Sequence, residues 1–139
     1  VKQRDKESAR LSMLRDYFIS ELQTKIKDLI VNGSLVSRLP NNIHVSIPNI
    51  EGESILLMLD KYGIEASTGS ACSSYDLKPS HVLLAIGQSA EFAHGSVRFT
   101  IGRQTKKSDI NYVMSILPGI VQKLKSISSL TIKTYENKK

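Results

Sequence analysis

Two short segments restrict the fold more than any other feature. Ile43-His44-Val45-Ser46-Ile47 and Ser96-Val97-Arg98-Phe99-Thr100-Ile101 alternate apolar and polar residues without a slip. Successive side chains on a strand point to opposite faces, so a strict period of two specifies strands with one buried face. Ile43, Val45 and Ile47 share that face in the first segment, and Val97, Phe99 and Ile101 in the second. Arg98 and Thr100 fall on the other face, as does His44, which reads as a solvent-facing or backbone-bonded histidine rather than a catalytic one. Pro48 ends the first strand and Gly102-Arg103 the second.

Around these strands the period changes. Leu11, Leu14, Phe18, Leu22, Ile26 and Leu29 recur at gaps of three and four, predicting an amphipathic helix with its left-handed stop at Asn32-Gly33. Ile55–Tyr62 predicts a short apolar helix closed by Gly63, and Ile64-Glu65-Ala66 a short strand. Ser80 is placed to cap a helix over His81–Ile86 that stops at Gly87. Ile110, Val113, Leu117, Val121 and Leu124 carry a last helix through to Ile127, with Thr105 or Ser108 as its cap and a kink or break at Pro118-Gly119. The order α-β-α-β-α-β-α predicts an α/β (α+β) fold: a mainly antiparallel sheet of about three strands covered by helices. Residues 1–139 form a single domain, with 1–10 as a polar extension of the first helix and 130–139 as a charged tail.

Composition narrows the functional classes. With 139 residues, 40% of them apolar, the chain supports one ordinary core. Its apolar runs are too short for a secretory signal or a membrane span, so a cytoplasmic home is expected. The net charge of +6 is spread over both ends and interrupted by Asp5, Glu7, Asp16, Glu21 and Asp28 in the first part; there is no tryptophan, aromatic residues are few, and no basic stripe is interleaved with them. That distribution describes a solvated surface and argues against specific nucleic-acid binding. His44, His81 and His94 lack ligand spacing and one cysteine cannot form an internal disulfide, so no metal site is expected. The polar residues before Leu11, together with Val1 in place of an initiator methionine, suggest a start inside a longer protein.

The remaining stretch, Ala66 to Pro79, contains the only cysteine, Cys72. A free cysteine is often merely a small buried hydrophobe. Here it is flanked by Thr68, Gly69, Ser70 and Ala71 on one side and Ser73 and Ser74 on the other, with no bulky apolar neighbour to bury it. A thiol in that setting is available for chemistry.

Four motifs in order, Glu51-Gly52-Glu53, Ser67–Ser74, Pro79–Leu83 and Gly95–Thr105, resemble the C-terminal part of cysteine desulfurases, pyridoxal phosphate enzymes of the class V aminotransferase superfamily. The resemblance runs from about Leu11 to Ile127, and the long loop around Cys72 is similar to the subclass serving iron–sulfur cluster assembly and tRNA thiolation. It implies the small C-terminal domain of a fold-type I enzyme. It also implies that Cys72 attacks the sulfur of cofactor-bound L-cysteine, leaving alanine and a persulfide, and that Arg98 holds the substrate carboxylate. Thr100 and Arg103 take supporting roles, Ser70 and Ser73 serve the loop, and Gln104 stands where an aromatic residue is frequent. The family's Ser-His-Lys cofactor motif is absent, so the resemblance implies a fragment that binds no pyridoxal phosphate and is silent alone. Its parent would be a homodimer, joined through the missing large domain, that passes sulfur to an iron–sulfur scaffold or thiolation protein. The alternatives are a stand-alone persulfide carrier or interaction module, and a basic nucleic-acid-binding domain.

Overall fold

A computed structural model describes residues 2–68 and 79–136, with side chains described for 3–68 and 79–128. Helix α1 (Lys2–Lys25) is followed by strands β1 (Ile30–Val31) and β2 (Asn42–Ser46). Helices α2 (Gly52–Asp60), α3 (His81–Ala85) and α4 (Ala90–His94) come next, then strand β3 (Ser96–Thr100) and helix α5 (Lys107–Glu136). The sheet is antiparallel in the order β1-β2-β3. The expected three-stranded, helix-covered fold is therefore present, although one of its strands is not the expected one.

Both alternating segments form strands, and their register places Ile43 opposite Phe99 and Val45 opposite Val97. On that face Phe18, Leu22, Ile26, Ile55, Leu59, Ile110 and Leu117 close the core, with the Phe18 and Phe99 rings 5.2 Å apart at 59°. α1 ends earlier than the spacing predicts. Asp28 takes the left-handed turn at φ 64, a conformation that aspartate tolerates through its short polar side chain. The chain is thereby released to form β1, which pairs Ile30 with Ser46 and Val31 with Val45. Asn32, expected in the helix stop, is instead buried against Ser46.

Three further expectations are corrected. Ile64–Ala66 forms no strand; the pairing falls one residue later, where Ser67 bridges to Arg98 on the free edge of β3. Ser80 sits at the start of α3 without a side-chain cap bond, whereas Ser89 Oγ accepts from Phe92 N at the start of α4, a helix the hydrophobic spacing does not reveal. α5 runs unbroken through Pro118 to Glu136, so much of the expected charged tail is helical. Ile110, Met114 and Leu117 before the proline and Ile120 and Val121 after it are all buried. At roughly 1.5–3 kcal/mol for each buried side chain, that stripe outweighs a proline penalty of about 3 kcal/mol. The start of α5 is closed by Asp109, whose carboxylate accepts from Lys106 N at 2.9 Å, while Thr105 Oγ1 accepts from Gly102 N.

The junction of α4 and β3 admits only glycine. A Cβ on Gly95 would lie 2.0 Å from the Ile47 carbonyl oxygen, the same residue whose N–H donates to Gly95 O at 2.9 Å. Gly95→Ala should therefore lower the free energy of urea unfolding by at least about 2 kcal/mol, the scale of overpacking. Gly119→Ala, in a helix with nothing near the added methyl, should raise it by about 0.5–1 kcal/mol.

Candidate active site

The face of the sheet turned away from the core carries the polar residues. Asn42 stands opposite Thr100, His44 opposite Arg98 and Ser46 opposite Ser96. The backbone of Arg98 bonds to Ser67, donating at 2.6 Å and accepting at 3.0 Å, and the backbone of His44 accepts from Asn32 N at 2.8 Å. Each member of the His44–Arg98 pair thus directs its backbone hydrogen bonds away from the other. In an antiparallel ladder this is the non-hydrogen-bonded pair, whose side chains approach most closely.

Burial tightens toward the Ser46 end of this face. Ser46 and Ser96 are buried, and Ser46 Oγ exchanges hydrogen bonds with Asn32, receiving from Nδ2 at 2.9 Å and donating to Oδ1 at 3.3 Å. Toward the other end, Arg38 reaches in from the loop before β2. Its guanidinium donates to the carbonyls of Ser34, Asn42 and Asn32, and burial lowers its pKa. Arg15, itself buried, holds that loop through the carbonyls of Arg38 and Leu39. The Arg38 charge is therefore committed to backbone oxygens.

Arg98 differs. Its side chain is half-buried, and it engages no carboxylate among the described residues. His44 beside it is held neutral, its pKa lowered to about 4 by burial first and then by the charges of Arg98 and Arg38. Its Nε2 is buried with no hydrogen-bond partner among the described residues. A buried polar atom left in that condition costs about 1–3 kcal/mol. Among the described residues, this nitrogen has neither the solvent nor the backbone partner expected of His44.

The other expected site residues divide. Thr100 is exposed on the same face as Arg98. Arg103 lies beyond the strand in an exposed turn and is not brought to Arg98. That turn is fixed from helix α1. Arg10 donates to the carbonyls of Gly102, Arg103 and Thr105 at 3.2, 2.9 and 2.9 Å and forms a forked pair with Glu7. The Glu7–Arg10 spacing signals the ion pair but not the three carbonyls. Cys72, Ser70 and Ser73 lie outside the described residues. Among the described residues no cluster of three or more His, Cys, Asp or Glu could hold a metal ion.

Residues 3–113 match the family described as aminotransferase class-V. The chain is 54% identical over 135 residues to "Cysteine desulfurase IscS" of Dictyoglomus turgidum, covering 97% of this chain and 34% of that protein. It is 47% identical over 130 residues to "Cysteine desulfurase IscS 1" of Archaeoglobus fulgidus, covering 94% and 34%. The chain thus spans about a third of the length of these curated relatives. The fold resembles that of a NifS-like protein from Rickettsia africae, with a TM-score of 0.72 at 24% identity over 84% of this chain and 29% of that one.

Proposed function

The chain belongs to the class-V aminotransferase family, and we propose that it is the small C-terminal domain of a cysteine desulfurase. In this reading residues 1–139 act as one unit, with residues 1–10 extending α1 toward the parent's large domain. The carrying observation is Arg98: a guanidinium on the polar sheet face that engages no carboxylate among the described residues, with its backbone bonded to Ser67. Ser67 precedes Cys72 by five positions, and five residues of chain reach at most about 18 Å.

The chemistry follows from those groups. A guanidinium fork matches a carboxylate in two parallel hydrogen bonds, so Arg98 holds L-cysteine by its carboxylate and orients the rest of it. The Cys72 thiolate attacks the substrate sulfur. A sulfur–sulfur bond forms as the carbon–sulfur bond breaks; the carbon keeps the electron pair, takes a proton and leaves as alanine. Pyridoxal phosphate, the parent's cofactor in this reading, would supply an electron sink when bound by the rest of the parent. The described residues do not fit that cofactor. No lysine lies on the polar face of the strands; Lys25 pairs with Glu21, and Lys107 stacks over Tyr17. The cofactor site is therefore assigned to the rest of the parent.

The persulfide sulfur passes to an acceptor protein, an iron–sulfur scaffold or a tRNA-thiolation protein, and the parent is a cytoplasmic homodimer joined through its large domain. Among the described residues, no helix is long and apolar enough to cross a membrane. The full-length parent, loaded with cofactor and given L-cysteine, should form alanine in step with transferred sulfur. The peptide containing Cys72 should gain one sulfur atom by mass spectrometry. Pyruvate in place of alanine, or no turnover, overturns the reading.

A further inference from the structure

We propose that His44 is a second substrate-binding group, whose Nε2–H donates to the carboxylate that Arg98 grips, so that two cross-strand neighbours clamp one anion. The proposal rests on the role given to Arg98 above and adds to it a residue on a different strand.

Three observations converge on it. His44 and Arg98 form the close, non-hydrogen-bonded kind of antiparallel pair, so both side chains rise side by side from one face. Nε2 of His44 is buried and has no partner among the described residues, where it is the one buried side-chain nitrogen or oxygen left unsatisfied, and such an atom points to a group that arrives later. The nearby charges are positive: Arg98 from β3 and Arg38 from the loop before β2, with Arg38 already bonded to three carbonyls. The group that completes both Arg98 and Nε2 is therefore a hydrogen-bond acceptor with negative charge. A carboxylate has two oxygens and the acceptor capacity to receive from both donors at once. The low pKa of His44 suits this use, because the neutral ring retains an N–H without adding a second cation beside Arg98 in the empty site.

The test uses the full-length parent with its cofactor. His44→Phe, which keeps a ring and removes the donor, should raise KM for L-cysteine about tenfold with kcat changed less than about twofold, and His44→Gln should recover most of the loss. Binding of 2-aminoethanethiol, which has the amine and thiol but no carboxylate, should be unchanged. Addition of L-alanine should shift the His44 imidazole resonances in the wild type, and Arg98→Ala is measured alongside. A raised KM in Arg98→Ala with none in His44→Phe overturns the proposal while leaving the role of Arg98 intact. No change in either variant overturns both. Equal weakening of cysteine and 2-aminoethanethiol by His44→Phe marks a purely structural imidazole and also overturns it. If His44→Phe fails to fold, the alanine-induced shift decides, and its absence counts against the clamp.

Discussion

Cys72→Ser in the full-length parent should reduce persulfide formation to background, a fall of at least about three orders of magnitude, the scale seen when a covalent nucleophile is removed. The two side chains differ by one atom, and that atom decides the outcome. A thiol with an ordinary pKa near 8.5 is a few per cent thiolate at neutral pH and is intrinsically very nucleophilic, whereas an alcohol is scarcely ionised there. Serine also offers no sulfur to form the sulfur–sulfur bond in which the product is held. Because Arg98 supplies the carboxylate contact in the proposed mechanism, the variant should still bind L-cysteine. Mass spectrometry of the Cys72 peptide and a binding titration separate these two effects. Sulfide release at the wild-type rate from Cys72→Ser would remove Cys72 from the mechanism.

The residues differ in how much of this was legible before the fold. Strict alternation placed Arg98 opposite the core because side-chain direction on a strand is a local property. What stands beside Arg98 is not local. That His44 is its neighbour depends on the register between β2 and β3, and that Nε2 is left unpaired depends on what packs over the pair. β1 was missed for the same reason: Ile30 and Val31 are too few to show a period and become a strand only through Ser46 and Val45. The stop of α1 went to Asp28 although Asn32-Gly33 is the stronger local signal, because Asn32 is consumed in the buried bond to Ser46. Pro118 shows tertiary packing overriding a local breaker. Nothing in the sequence around Arg10 foretells the three carbonyls presented to it by the turn after β3.

Arg98→Ala in the parent should raise KM for L-cysteine by about 10–100-fold and lower kcat much less, the loss expected for one charge-assisted contact to the substrate. Arg98→Lys should recover only part of this, since an ammonium keeps the charge but cannot reproduce the planar two-point fork. The sheet should survive both changes. Arg98 holds Ser67 through backbone atoms alone, so urea unfolding of the variants should stay within about 1 kcal/mol of the wild type, as for a half-buried residue without a side-chain partner among the described residues. A second readout separates a substrate role from a general loss. Arg98 is one of the causes holding the His44 pKa near 4, so its removal should move that titration upward, toward the ordinary histidine value of about 6.5. The sign for stability follows. A histidine whose folded pKa lies below its unfolded value stabilises the fold above that unfolded value and loses the contribution as pH falls toward the folded one. The wild type should therefore lose stability between about pH 6.5 and 4, and Arg98→Ala should lose less over the same interval. An unchanged KM together with a raised His44 pKa would leave Arg98 as an electrostatic neighbour of His44 and remove it from substrate binding.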